Sequence, residues 1–150
     1  YLGIRNFSSI VRIDRATGAC TWGFGGVANT MTLSGGSGSF LHQHQFEVGA
    51  DSLLVFDNDG SEGSVSRVIE YAVDWDAGTA EQIWTYAASP SIYSFVLGDV
   101  ARLDGGDTMV TWSVGGQIDR VTPAGEVTWQ VNTGLGFAFG FDTVLTGLYP

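Results

Sequence analysis

A turn that recurs along the chain sets its architecture. Ile10-Val11-Arg12-Ile13-Asp14-Arg15-Ala16-Thr17-Gly18, followed by Trp22, aligns with Ile118-Asp119-Arg120-Val121-Thr122-Pro123-Ala124-Gly125, followed by Trp129. Between them, Val68-Ile69-Glu70-Tyr71 runs through a longer turn to Trp84. Each unit reads as a β-hairpin whose second strand carries a Trp. Another strand precedes each hairpin, in Leu2-Gly3-Ile4-Arg5, in Leu53 to Asp57 and in Thr108 to Ser113. Asp51-Ser52 and Asp104-Gly105-Gly106-Asp107 supply tight turns ahead of the last two. A period of roughly 45 to 60 residues with about four strands each is that of propeller blades.

Local composition agrees. Short β-branched and aromatic runs, Ile10 to Ile13, Leu53 to Phe56, Val68 to Tyr71 and Met109 to Trp112, are broken by Gly, Asp, Asn and Ser, and helical periodicity is nearly absent. The expectation is an all-β chain of about three four-stranded blades, over residues 1–50, 51–103 and 104–150, with strands shared across these boundaries. A closed propeller takes roughly four to eight blades. Three would leave two open blade faces to be covered, by further blades of the same protein or by another protein chain.

Charge narrows the function classes. The 16 acids outnumber 6 bases for a net charge of −10, and every base is Arg, since the chain has no Lys. Scattered arginines cannot form the basic stripe that phosphate neutralisation needs, so nucleic acid is excluded as a partner, and an anionic membrane surface is equally unsuited. No apolar run approaches the roughly 20 residues of a membrane span. Cys20 is the single cysteine and can form no internal disulfide.

The chemistry concentrates in Phe40-Leu41-His42-Gln43-His44-Gln45-Phe46, which holds both histidines of the protein. On a strand, a spacing of two aims both imidazoles at one face. Three readings compete. The histidines are channel-lining polar groups held by hydrogen bonds; they are two ligands of a metal whose remaining ligands the sequence does not name; or one is a nucleophile or acid/base.

A resemblance bears on that choice. Arg5-Asn6-Phe7-Ser8, the Ile13 to Gly18 turn closing at Trp22, Gln43-His44, Val55-Phe56-Asp57-Asn58 and Ser66-Arg67-Val68-Ile69-Glu70-Tyr71 occur in this order in arylsulfotransferase-like proteins. So do Gly98-Asp99, the Gly116 to Trp129 hairpin and an ending like Leu148-Tyr149-Pro150. The chain resembles that family over nearly its whole length. The resemblance implies the C-terminal half of a six-bladed propeller and an exported protein, periplasmic or extracellular. It implies an enzyme that moves a sulfuryl group from an aryl sulfate to a phenol without a nucleotide sulfate.

By position, His44 would accept the group as sulfohistidine, Arg5 would bind the sulfuryl oxygens, and His42 would line the channel beside the substrate. The family's upstream Trp-x-His-x-Asn-like segment has no counterpart in these residues, so activity would need N-terminal blades. Gln45 and Phe46 stand where small or acidic residues commonly follow the family histidine. The alternative is a non-catalytic secreted propeller that binds a partner chain through its open blades.

Two further stretches complete the inventory. Asp57-Asn58-Asp59-Gly60-Ser61-Glu62-Gly63-Ser64 has the carboxylate density of a calcium loop, at Asp57 and Asp59, without the EF-hand frame; turn chemistry explains it equally and no cofactor is expected. Trp22, Trp84, Trp112 and Trp129, with Phe137, Phe139 and Phe141 alternating, read as blade-core packing rather than a carbohydrate platform.

Overall fold

The computed structural model describes residues 1–35, 38–59, 65–134, 140 and 143. Phe137, Phe139, Phe141, residues 60–64 and the ending at 148–150 lie outside them. Twelve strands form three sheets, with three short 3-10 helices in the connections between strands and no α-helix among the described residues. No helix of these residues is long and apolar enough to cross a membrane.

The first sheet has the order β1-β2-β3, with β1 at Leu2–Ile4, β2 at Ser9–Ile13 and β3 at Cys20–Phe24. The second runs β4-β8-β7-β6-β5: β4 is Thr32–Ser34, β5 Phe46–Val48, β6 Ser52–Asp57, β7 Arg67–Asp74 and β8 Thr79–Tyr86. The third runs β12-β11-β10-β9, from β9 at Asp99–Arg102 through β10 at Thr108–Trp112 and β11 at Gln117–Val121 to β12 at Val127–Asn132. All pairings are antiparallel except β4 with β8.

The strand runs singled out in the sequence lie on strands except for the last residues of two of them, Arg5 and Ser113, which open 3-10 helices, and each hairpin closes on its Trp, Trp22 on β3, Trp84 on β8 and Trp129 on β12. The acidic turn residues act locally. Asp14 Oδ1 accepts the N–H groups of Ala16 and Thr17 at 3.0 and 2.8 Å, and Asp74 Oδ1 those of Asp76 and Ala77 at 3.1 and 2.8 Å. Both are side-chain turns that bend the chain back at a hairpin tip.

The middle sheet shows why the apolar runs are continuous rather than alternating. Leu53, Leu54, Val55 and Phe56 are all buried. Because successive strand residues point to opposite faces, such a run must be covered on both sides. Leu53 and Val55 join Ile10 and Phe24 of the first sheet in one core cluster, with Ile69 and Tyr71 of β7. Leu54 and Phe56 join Val100, Val110 and Trp112 of the third sheet in another. The second sheet is therefore the filling between the other two.

The tryptophans divide by depth. Trp112 is fully buried, and Trp22 and Trp84 pack partly against the clusters. Trp22 stacks on Trp75 at 4.7 Å between centroids, while Trp84 lies under the Arg102 guanidinium at 5.6 Å; both contacts tie neighbouring sheets together. Trp129 departs from the expected core role, being 49% exposed on edge strand β12.

One buried carboxylate organises the third sheet. Asp119, 0% exposed, accepts hydrogen bonds from Trp112 Nε1 at 2.8 Å, Tyr86 Oη at 3.1 Å, Gln117 Nε2 at 2.9 Å and Gln130 Nε2 at 2.8 Å. Burial and this carboxylate together hold the Tyr86 hydroxyl far above its usual pKa, so it remains a donor. Asp119→Ala leaves the Trp112 and Tyr86 donors without an acceptor inside the core. The expected loss is about 3 kcal/mol of unfolding free energy, measured by urea denaturation; a loss under ~1 kcal/mol would show that water replaces the carboxylate.

Candidate functional site

Both candidate histidines lie off the strands. Residues 38–45 are irregular and β5 begins only at Phe46, so the imidazoles are not set on one strand face as their spacing suggested. The cause is competition from the core and from neighbouring polar groups. Phe40 is fully buried and stacks on Phe24 at 5.7 Å. Leu41 N–H donates to Asp57 Oδ1 at 2.8 Å and His42 N–H to Ser8 Oγ at 3.0 Å. Buried Gln43 sends Nε2 to the Ser9 carbonyl at 2.8 Å. These anchors take the segment across the ends of β2 and β6, and His42 adopts a left-handed φ of 52°.

His44 is where the segment rejoins the sheet. Its N–H donates to the Phe56 carbonyl at 3.1 Å, and Phe56 N–H returns to Gln45 at 2.8 Å. The half-buried imidazole places Nδ1 3.1 Å from the Gly98 carbonyl oxygen. A carbonyl only accepts, so Nδ1 carries the proton and the lone pair of the neutral ring resides on Nε2. Desolvation pushes the His44 pKa below its ordinary 6.5, the Gly98 bond works against this, and the positive charge of Arg5 lowers it further. The neutral, nucleophilic form is the one this environment favours.

Arg5 enters from the first sheet. It opens the 3-10 helix Arg5–Phe7 after β1, and Ser8 in a left-handed conformation closes that turn. Nη2 donates to the Phe95 carbonyl at 2.6 Å and Nη1 lies 3.4 Å from Asn6 Oδ1. Nε is buried with no hydrogen-bond partner among the described residues. The Arg5 charge reaches the His44 ring, where it disfavours the protonated form. His42 is half-buried nearby, and its ring makes no hydrogen bond among the described residues.

Asp57 and Asp59 serve the same junction. Asp57, 1% exposed, accepts Leu41 N–H and, at 3.1 Å, Asp59 N–H on Oδ1, while Oδ2 takes Arg67 Nε at 2.9 Å. Among the described residues, no group of three His, Cys, Asp or Glu is placed to hold a metal ion.

A family model described as Arylsulfotransferase (ASST) matches residues 1–133. The chain belongs to the arylsulfotransferase family. The order of motifs around Arg5, Gln43-His44 and Asp57-Asn58 is thereby placed in an arylsulfotransferase domain that spans nearly the whole chain. A search of curated proteins gave no match.

What residue-type reasoning missed in this arylsulfotransferase domain is the segment between β8 and β9. Phe95 and Gly98 contribute main-chain carbonyls, which carry no side-chain signature. Gly98-Asp99 was visible as a motif, and the signal for its role is glycine itself: Gly98 has φ +109°, and a Cβ there would lie 2.2 Å from the Phe56 ring. Only glycine lets this backbone approach Phe56 and reach His44.

Proposed function

We propose that this domain transfers a sulfuryl group from an aryl sulfate to a phenol through a sulfohistidine at His44. The observation that carries the reading is the His44 Nδ1 to Gly98 carbonyl bond at 3.1 Å, beside the charge of Arg5. With its proton held on Nδ1, the ring attacks through Nε2. The Nε2–S bond forms as the aryl S–O bond breaks, and the aryl oxide leaves and takes a proton from solvent. The sulfurylated ring bears a positive charge, which the Gly98 carbonyl dipole offsets. A phenol then attacks sulfur through oxygen, the N–S bond breaks, the phenolic proton passes to solvent and the Nε2 lone pair is restored. Arg5, anchored through Nη2 on the Phe95 carbonyl, suits the sulfuryl oxygens as a fixed cation.

The scaffold in this reading is a propeller. The three sheets stand as successive blades, each with a hairpin that carries a register shift, at Arg12/Ile13, Glu70/Tyr71 and Arg120/Val121. Further blades, or another chain, cover the outer sheets, where Tyr1 and Leu2 on one side and Val127 and Trp129 on the other are exposed. Those blades also supply the remaining substrate contacts, in the periplasmic or extracellular setting typical of the family.

The test is a pH profile with trapping of the intermediate. Attack needs neutral His44, and its pKa lies below 6.5, so the acid limb of kcat/KM for a chromogenic aryl sulfate should also fall below 6.5. Acid quenching is unsuitable for a labile N–S bond, so alkaline quenching and peptide mass analysis should find one SO3 group on the peptide containing His44. An acid limb above 6.5 with no modified peptide would overturn the mechanism.

A further inference from the structure

Both main-chain acceptors of the site come from one stretch, Ser94 to Gly98, that pairs with no strand among the described residues. Such a strap needs a fastening if Phe95 and Gly98 are to meet Arg5 and His44 at fixed distances. Two left-handed residues in succession, Leu97 at φ 59° and Gly98 at φ 109°, make its exit a tight bend that sequence-local forces do not hold. Ser66 secures the start: its hydroxyl accepts Ser94 N–H at 2.8 Å.

We infer that Asn58 is the positioning residue of this site, a single buried amide that holds the strap and thereby sets both the His44 tautomer and the Arg5 anchor. The inference rests on the function proposed above. Asn58 is 1% exposed and follows directly on β6. Its Nδ2 donates to the Ser94 carbonyl and, at 2.8 Å, to the Leu97 carbonyl. Each carbonyl used by the site, Phe95 and Gly98, lies one residue beyond a carbonyl held by Asn58. Clamping 94 and 97 therefore fixes the peptide planes that follow them. Two carbonyl partners also settle which way the amide faces, because only nitrogen can donate to both. Oδ1 is buried without a hydrogen-bond partner among the described residues, a cost accepted for the amide's position.

The strap links the chemistry of three sheets. Asn58 follows a strand of the second, Arg5 one of the first, and Gly98 N–H is itself held at 2.9 Å by Oγ of Ser113, which follows β10 of the third. An orienting partner of this kind, one bond removed from the reacting group, typically changes activity by about 10- to 100-fold when lost.

The experiment is nitrogen NMR of the His44 ring in the complete protein, wild type against Asn58→Ala, with aryl sulfate turnover measured on the same samples. The wild type should show His44 protonated on Nδ1. In Asn58→Ala the population should move toward the Nε2–H tautomer, with the His42 ring unchanged and transfer down about 10- to 100-fold. If Asn58→Ala does not fold, Asn58→Asp keeps the shape and presents acceptors to the two carbonyls, with the same tautomer change expected. A folded variant whose His44 stays protonated on Nδ1 overturns the inference, whatever its activity. A tautomer change in a protein whose wild type shows no transfer supports Asn58 as the positioning residue and sinks the proposed reaction instead.

Discussion

Replacing His44 with Asn in the complete protein should reduce sulfuryl transfer by about a thousandfold or more while leaving the fold in place. The two halves of that expectation have separate causes. Asn places an amide nitrogen near the position of Nδ1, so the Gly98 carbonyl keeps a donor and the strap keeps its contact. What disappears is Nε2, the atom with the lone pair that forms the N–S bond. The amide oxygen falls near the former Cδ2, short of the Nε2 position, and is too weak a nucleophile to substitute. Initial rates with a chromogenic aryl sulfate, together with thermal melts of both proteins, read the two halves independently. Equal turnover by wild type and variant would remove His44 from the reaction, and a collapsed melt would assign the ring a structural duty.

This variant also discriminates between His44 and His42. If His42 were the nucleophile, His44→Asn would spare the intermediate. The geometry favours His44, since its ring meets an oriented carbonyl and a neighbouring cation, whereas His42 is anchored through its backbone to Ser8.

Much of the scaffold was legible in the sequence because its determinants are local. The run Leu53 to Phe56 announced a strand by β-branched and aromatic content, and its lack of alternation matched a sheet buried on both faces. The Asp14 turn was legible for the same reason, since the side chain and the N–H groups it caps lie within three residues. The parallel pairing of β4 with β8 joins Thr32 to Thr79 and has no local signal, because Thr32 to Ser34 is too short and polar to announce a partner.

The site was legible only as side chains. Arg5 and His44 could be named from motif order, but Phe40, Gln43 and Leu41 each spend an interaction on a distant core ring, backbone carbonyl or carboxylate, and their sum pulls the histidine segment off the strand its spacing suggested. Period-2 reasoning assumes the chain is free to be extended there, and tertiary anchors removed that freedom. The acceptors at Phe95 and Gly98 were invisible for a simpler reason: every residue has a carbonyl, and only the fold decides which ones are aimed.

Gly98 is where fold and site meet most tightly, and Gly98→Ala should destabilise the protein by about 4 kcal/mol. Part of that comes from the backbone, since φ +109° is a region that a residue with a Cβ rarely adopts. The larger part is collision. An added Cβ would lie 2.2, 2.4 and 2.6 Å from three atoms of the Phe56 ring. Phe56 has nowhere to retreat, being fully buried and packed edge-on against Trp112 at 5.5 Å between centroids. Relief must come from the strap, which would lift away from Phe56 and carry the Gly98 carbonyl off His44. Urea denaturation should therefore show the loss of stability. Any folded fraction at low temperature should have lost the Nδ1-protonated His44 signal along with its transfer activity. A Gly98→Ala protein with wild-type stability would mean that the strap sits farther from Phe56 than 2.2 Å implies, and retained activity in that protein would break the link between this backbone and the chemistry of His44.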